Sequence, residues 1–301
     1  MEPHSSQPLR RVSLLNGFSI EATRPKAQDF EALKASAPPG TLLYLSALPA
    51  YPPDDLIGYS ASAVAAGLVP IPHIAARTLS GMGELETLLN GLVRNGVRRA
   101  LLIGGERDRP LGPFGDAFEL LSSGVLQRCG IAGVDIGGYP EGHPRIETAK
   151  LEAALIAKVD LAKQIGLAPR IVTQFSFDAG TITDWILHVR QLGIDVPLRI
   201  GLAGPASIGA LIRYAQRCGV RASAGAMMRN SNLVKGLAAR TGPDDIIASL
   251  SVAAAKDDLG EIGIHLFSFG GIGATARWAM ETAPRIISDN KLSAIGEVQC
   301  E

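Results

Sequence analysis

The chain of 301 residues is long enough for one large α/β domain or two smaller ones, and its 47% apolar and 19% charged residues suit a globular protein with a large core. Its 29 basic and 29 acidic side chains cancel, which removes the electrostatic case for a nucleic acid or an anionic membrane as partner. Cys129, Cys218 and Cys300 are widely spaced with no CxxC pair, which argues against a disulfide framework or structural zinc and for a reducing cytoplasm.

Residues 1–12 are polar and proline-containing and read as a flexible arm. Arg10-Arg11 stand before an apolar run, but Glu21 interrupts it too early for a twin-arginine export signal. No apolar run approaches the ~20 residues of a membrane-spanning helix, so no membrane partner is expected. The first strand is predicted over Leu15–Glu21 and the first helix over Ala27–Ala37, stopped by Pro38-Pro39-Gly40. A strand Thr41–Ala47 leads to a helix from Asp54 to about Ala66, whose acidic first turn complements the helix dipole. Next come a strand Val69–His73, a helix Gly81–Asn95 closed by Asn95-Gly96, and a strand Arg99–Ile103. A loop over 104–115, rich in Gly, Pro and charge, precedes a helix Asp116–Leu126 and a strand Ala132–Gly138. A helix Glu147–Ile165, a strand Arg170–Phe177, a helix Ile182–Leu192 and a strand Pro197–Gly201 follow. Helices Ala206–Cys218, Met227–Ala238 and Pro243–Lys256, a strand Gly263–Phe269 and a helix Ala274–Thr282 complete the order.

Eight short Val-, Ile- and Leu-rich strands alternating with helices predict a single (β/α)8 TIM barrel over 13–285, with 286–301 as a tail. An open doubly wound sheet is the other reading, but no GxGxxG follows the first strand, where a dinucleotide site would announce itself. In a closed barrel every strand's C-terminal end opens on one face, where such barrels place their active sites. The residues gathered there would be Glu21, Ser46, His73, Gly104-Gly105-Glu106, Gly138-Tyr139, Gln174, Gly201 and Phe269-Gly270-Gly271.

Glu21, at the end of an apolar strand, is expected to be desolvated, with a raised pKa that suits a proton donor; the alternative is a rim ion pair with Arg24. His73 fits either a ligand contact or a hydrogen-bonded structural role. The segment Tyr139-Pro140-Glu141-Gly142-His143-Pro144 concentrates polar groups between strand and helix, as a ligand-contacting loop does. Gln174 alternates with Thr173 and Phe175 and is predicted on the opposite face from both, where a buried amide needs a partner: a heterocyclic ligand or a neighbouring strand. Neither HxH nor HExxH occurs, so no metal is expected, and neither GxSxG nor a strand-end cysteine supports a nucleophile. Gly201-Leu202-Ala203-Gly204 and Gly270-Gly271-Ile272-Gly273 are expected to leave backbone N–H groups free near helix N-termini. That would suit a barrel enzyme acting on a phosphorylated small molecule.

Tyr139-Pro140-Glu141-Gly142-His143-Pro144, Thr173-Gln174-Phe175-Ser176-Phe177-Asp178, Pro72-His73 and Lys158-Val159-Asp160 occur in an order and spacing that resemble the methylenetetrahydrofolate reductase family over about residues 16–282. The resemblance implies a barrel holding FAD that passes electrons from NADH or NADPH to 5,10-methylenetetrahydrofolate, giving 5-methyltetrahydrofolate. Glu21 matches the family's proton donor, Gln174 the glutamine on the pterin and nicotinamide, and Glu106 an aspartate bridging flavin and folate. Ser46, His73, Gly104, Gly105, Glu106, Ala117, Tyr139, His143 and Lys158 match flavin-contacting positions, and Phe177 a substrate contact. The chain departs from the family at Gly104, where an arginine holds flavin, and near Gly271, where an arginine holds the folate tail; Arg277 is the nearby candidate to replace the latter. These departures add two readings: a reductase that transfers hydride directly without flavin, and another folate-linked enzyme or folate-binding protein. Nothing in the pattern separates NADH from NADPH or a monomer from a homo-oligomer.

Overall fold

A computed structural model describes residues 14–47, 52–220 and 240–283; the expected arm, the expected tail and the expected helix Met227–Ala238 lie outside the described residues. Eight strands form a closed parallel barrel: β1 (Ser19–Ala22), β2 (Leu42–Leu45), β3 (Val69–Ala75), β4 (Arg99–Ile103), β5 (Gly133–Gly138), β6 (Ala168–Thr173), β7 (Leu198–Ala203) and β8 (Ile262–Phe267). Each strand pairs with its neighbours in chain order, and β8 closes on β1 with Glu21 in register with Phe267. The outer layer is α1 (Ala27–Ser36), α2 (Pro53–Ala65), α3 (Met82–Arg94), α4 (Ala117–Ser122), α5 (Val125–Arg128), α6 (Thr148–Gln164), α7 (Ala179–Gln191), α8 (Ile208–Cys218), α9 (Asp244–Lys256) and α10 over 272–283. No described helix is long and apolar enough to cross a membrane.

The two-residue period of each strand sorts its side chains into two cores. Ile20, Leu43, Ile74, Leu102, Ile136, Ile171, Ile200 and Leu266 point outward and meet helix faces such as Leu85, Leu88, Leu89 and Leu92 of α3. The inward set is different. Tyr44, Ile71, Leu101 and Val172 form a small apolar cluster, and Ser19, Asp135 and His265 are buried polar residues. A barrel interior this polar must satisfy its own hydrogen bonds, because each unpaired buried group costs roughly 1–3 kcal/mol.

Several expected boundaries move, each for a local reason. The first strand begins at Ser19 rather than Leu15, because Phe18 N–H turns back to the Leu15 carbonyl. The expected helix Asp116–Leu126 is broken into α4 and α5 by Gly124, which sits at φ 68°. The sixth strand stops at Thr173, leaving Gln174 through Phe177 as a rim segment. Ser176 N–H bonds the Gly201 carbonyl, and the Asp178 carboxylate caps α7 by accepting from Thr181 N–H, so α7 starts three residues earlier than expected. The last strand likewise ends at Phe267, and Phe269-Gly270-Gly271 is a turn in which Gly271 N–H bonds the Ser268 carbonyl.

Gly201 marks where strands crowd most tightly. A Cβ there would lie 2.4 Å from the Thr173 carbonyl oxygen and 2.9 Å from the Phe267 ring. Because one obstacle is backbone, Gly201→Ala is expected to destabilise the chain by roughly 1–3 kcal/mol in chemical denaturation. An unchanged midpoint would show that the rim can spread.

Candidate active site at the C-terminal mouth of the barrel

Glu21 on β1, Ser46 just past β2, His73 on β3 and His265 on β8 converge at the C-terminal mouth. Ser46 Oγ donates to Glu21 Oε1 at 2.7 Å, while His265 Nε2 and His73 Nε2 lie 3.4 and 3.7 Å from Glu21 Oε2. The three titratable side chains are almost closed off from solvent, with 15% of Glu21, 9% of His73 and none of His265 exposed. Burial alone would raise the Glu21 carboxyl, and that is the expectation from its strand-end position. The structure overturns it: the charges of His73 and His265 and the hydrogen bonds from His265 and Ser46 outweigh burial and bring the pKa down to about 2. Burial pushes His73 below its ordinary value, with Glu21 pulling the other way. At neutral pH the cluster therefore holds an ionised Glu21 beside a neutral His73. His73 Nε2 is buried and makes no hydrogen bond among the described residues, so it is available to a ligand.

Beneath this cluster, His265 Nδ1 lies 3.0 Å from Ser19 Oγ, and the Tyr44 ring stands edge-on to both His265 (4.5 Å) and His73 (6.1 Å). Tyr44 donates its hydroxyl to Asp135 Oδ2 at 2.5 Å. Sequence reasoning missed His265, Tyr44 and Asp135. Their signal was the alternation in Gly263-Ile264-His265-Leu266-Phe267, Leu42-Leu43-Tyr44-Leu45 and Val134-Asp135-Ile136, which aims each inward.

Aromatic residues build the far side of the mouth. Phe267 meets His265 at 4.9 Å, Phe175 meets Phe267 and Phe269 at 5.3 and 5.0 Å, and Tyr214 of α8 stacks on Phe269 at 4.0 Å. Phe177 packs edge-on against Phe175. At the other end of α8, a Cβ on Gly219 would strike Pro144, so this helix touches segments following β5, β6 and β8. The half-buried Cys218 thiol in its last turn is pushed up to about 11, first by burial and then by the carboxylates of Glu21 and Glu106. It is a poor nucleophile. Gln174, in the rim segment, keeps its Oε1 on the Phe175 N–H at 3.1 Å, and its own N–H bonds the Gly138 carbonyl.

The remaining expected contacts lie on several elements. Tyr139 is half-buried, with His143 edge-on at 5.4 Å, and lines a 470 Å³ cavity between α6 and α7. Lys158, on α6, is pulled below its ordinary pKa by burial and held by the charge of Asp116. Asp116 itself caps α4, accepting from the N–H groups of Phe118 and Glu119 just beyond the buried Ala117, so the N-terminus of α4 already carries a carboxylate. Gly104 lies 3.5 Å (from its would-be Cβ) from the Arg77 guanidinium, which donates to the carbonyls of Gly115 and Arg107 and so holds the loop. Gly105 adopts φ 89°, and Glu106 is exposed. Arg277 is exposed on α10 beside Gly273. Arg77 and Asp116 are thus engaged within the protein, while Glu106 and Arg277 are exposed.

Three of the N–H groups in the glycine loops are engaged within the fold. Gly201 N–H bonds Thr173 Oγ1, Gly204 N–H the Phe267 carbonyl and Gly271 N–H the Ser268 carbonyl. Among the described residues, no group of three His, Cys, Asp or Glu side chains is placed to hold a metal ion.

No protein-family model matches the chain. Two relatives are methylenetetrahydrofolate reductases. The chain is 27% identical to 5,10-methylenetetrahydrofolate reductase of Salmonella typhimurium over 157 residues, which is 52% of this chain and 50% of that protein. It is 24% identical to methylenetetrahydrofolate reductase 2 of Saccharomyces cerevisiae over 172 residues, 54% of this chain and 27% of that protein. The matches therefore span half or less of each relative. Among solved structures, dihydropteroate synthase from Thermus thermophilus superposes with a TM-score of 0.51 at 13% identity, covering 93% of this chain and 95% of that one. That likeness is one of fold, a single (β/α)8 barrel.

Proposed function

We propose that this barrel reduces 5,10-methylenetetrahydrofolate to 5-methyltetrahydrofolate with NADH or NADPH, by direct hydride transfer at the C-terminal mouth. The observation that carries this reading is Glu21 held between Ser46, His73 and His265 at the mouth, with His73 Nε2 left for a ligand. The similarity of about half the chain to two methylenetetrahydrofolate reductases supports the substrate class. In the reaction the bond from the bridging methylene to N10 breaks, N10 takes a proton, and the resulting N5 iminium carbon accepts hydride from the nicotinamide. The atoms and charge balance as substrate, NAD(P)H and one proton giving product and NAD(P)+.

An acid with a pKa of about 2 is a poor proton donor at neutral pH but a strong counter-ion. Glu21 accordingly stabilises the developing iminium and favours the protonated minority form of the His73 imidazole, which takes up a proton from solvent and passes it to N10. The amide of Gln174, at the rim with its Oε1 on the Phe175 N–H, would hydrogen-bond a pterin edge through its NH2 group. Gly104, which stands where the resembled family has a flavin-holding arginine, favours the flavin-free route over the flavin-mediated one.

The purified protein is expected to be colourless and to consume NAD(P)H when methylenetetrahydrofolate is added. A stoichiometric visible flavin band would sink direct transfer while leaving the reductase reading intact. Tight folate binding with no NAD(P)H oxidation would sink the reductase reading itself.

A further inference from the structure

The opposite, N-terminal end of the barrel holds a cavity of 560 Å³ that the proposed reaction does not use. Arg99 from β4, Arg170 from β6 and Arg199 from β7 all line it, together with Asn16 and Glu261. Glycine makes room for two of them. Arg99 is in register with Gly133 and Arg199 with Gly263. A Cβ on Gly133 would stand 2.4 Å from the Arg99 guanidinium carbon, and one on Gly263 would stand 2.9 Å from Arg199 Nη1.

One buried carboxylate serves this group. Asp135 accepts from Arg99 Nη1 at 3.0 Å and Arg170 Nε at 3.1 Å on Oδ1, and from Arg170 Nη2 at 2.7 Å and the Tyr44 hydroxyl at 2.5 Å on Oδ2. Four donors fill its acceptor capacity. Arg199 makes no ion pair among the described residues; its Nη1 donates to the Gly17 carbonyl at 2.5 Å. Glu261, at the exposed rim, acts on it only at longer range. Burial and the facing Arg170 both make the charged form of Arg199 costly, with Tyr44, Asp135 and Glu261 opposing them. Arg99 makes its hydrogen bonds through Nη1 alone, to Asp135 and the carbonyls of Val134 and Ala168. Donors therefore remain on two guanidinium groups that reach the cavity from different strands.

We propose that the floor of the barrel is a binding site for a phosphate group, free or on a small ester, with Arg199 as its principal contact and Arg99 beside it. Guanidinium groups converging from separate strands suit a tetrahedral oxyanion, which accepts paired N–H donors on several sides. The site lies at the end of the barrel away from Glu21 and does not depend on the reductase reading.

The test is thermal unfolding of the full chain in inorganic phosphate against sodium chloride at equal ionic strength, with calorimetric titration of phosphate. The expected result is one site and a Tm rise of roughly 2 °C at ten times the dissociation constant. Arg199→Gln should abolish both. Arg199→Lys, which keeps the charge and loses the fork, should fold and bind roughly tenfold more weakly. Tighter binding of a sugar phosphate than of inorganic phosphate would assign the rest of the cavity to an ester. Equal melting in phosphate and chloride, or undiminished phosphate binding by either variant, would overturn the proposal.

Discussion

Glu21→Gln is expected to lower the turnover of methylenetetrahydrofolate by roughly 10²- to 10⁴-fold while the folate dissociation constant stays within a few-fold of its original value. The amide keeps the shape and the hydrogen bond from Ser46 Oγ, but it removes the negative charge between His73 and His265. That charge does two things in the proposed reaction: it offsets the iminium and raises the proton affinity of His73. The variant therefore carries a second signature. With Glu21 neutralised, the His73 pKa falls further below its ordinary value, so the residual rate should be lost at lower pH than in the unaltered protein. Single-turnover rates across pH check both effects. Full turnover in the variant would remove Glu21 from the chemistry, and an unshifted profile would place the proton elsewhere.

Asp135→Ala is expected to cost about 3–5 kcal/mol of stability, the range found when one partner of a buried ion pair is removed. Asp135 is fully buried and joins Arg99, Arg170 and Tyr44, so its loss leaves two guanidinium groups facing the barrel interior without a counter-ion. For a chain of this size the corresponding fall in Tm is roughly 5–8 °C. Tyr44→Phe removes one neutral donor from the same carboxylate and should cost about 1 kcal/mol. A Tm for Asp135→Ala within a degree of the original would mean that water or a bound anion replaces the carboxylate.

The barrel was legible because its determinants are local and repeated. Short β-branched strands, Asn95-Gly96 at a helix end and Pro38-Pro39-Gly40 between elements act within a few residues of themselves. The strand Arg99–Ile103 emerged with its expected limits. Limits were misjudged where a distant partner decided them. Nothing within Gln174-Phe175-Ser176-Phe177 says that Ser176 will bond the carbonyl of Gly201 and end the strand early. Glu21 and His73 were legible as strand-end residues, but the state of Glu21 was not. Its pKa depends on His265, 244 positions away in sequence, and on Ser46.

The sequence by itself determined the alternation of strands and helices and the polar residues that end the strands. Periodicity and residue volume are properties of short segments, so they survive without knowledge of the fold. Only the tertiary structure decided that Glu21 is ionised between two imidazoles, that the glycine loops bond within the fold, and that two arginines share one carboxylate while a third lies beside them. Each of those facts is electrostatic or steric between strands remote in sequence, and such interactions exist only once the barrel has closed.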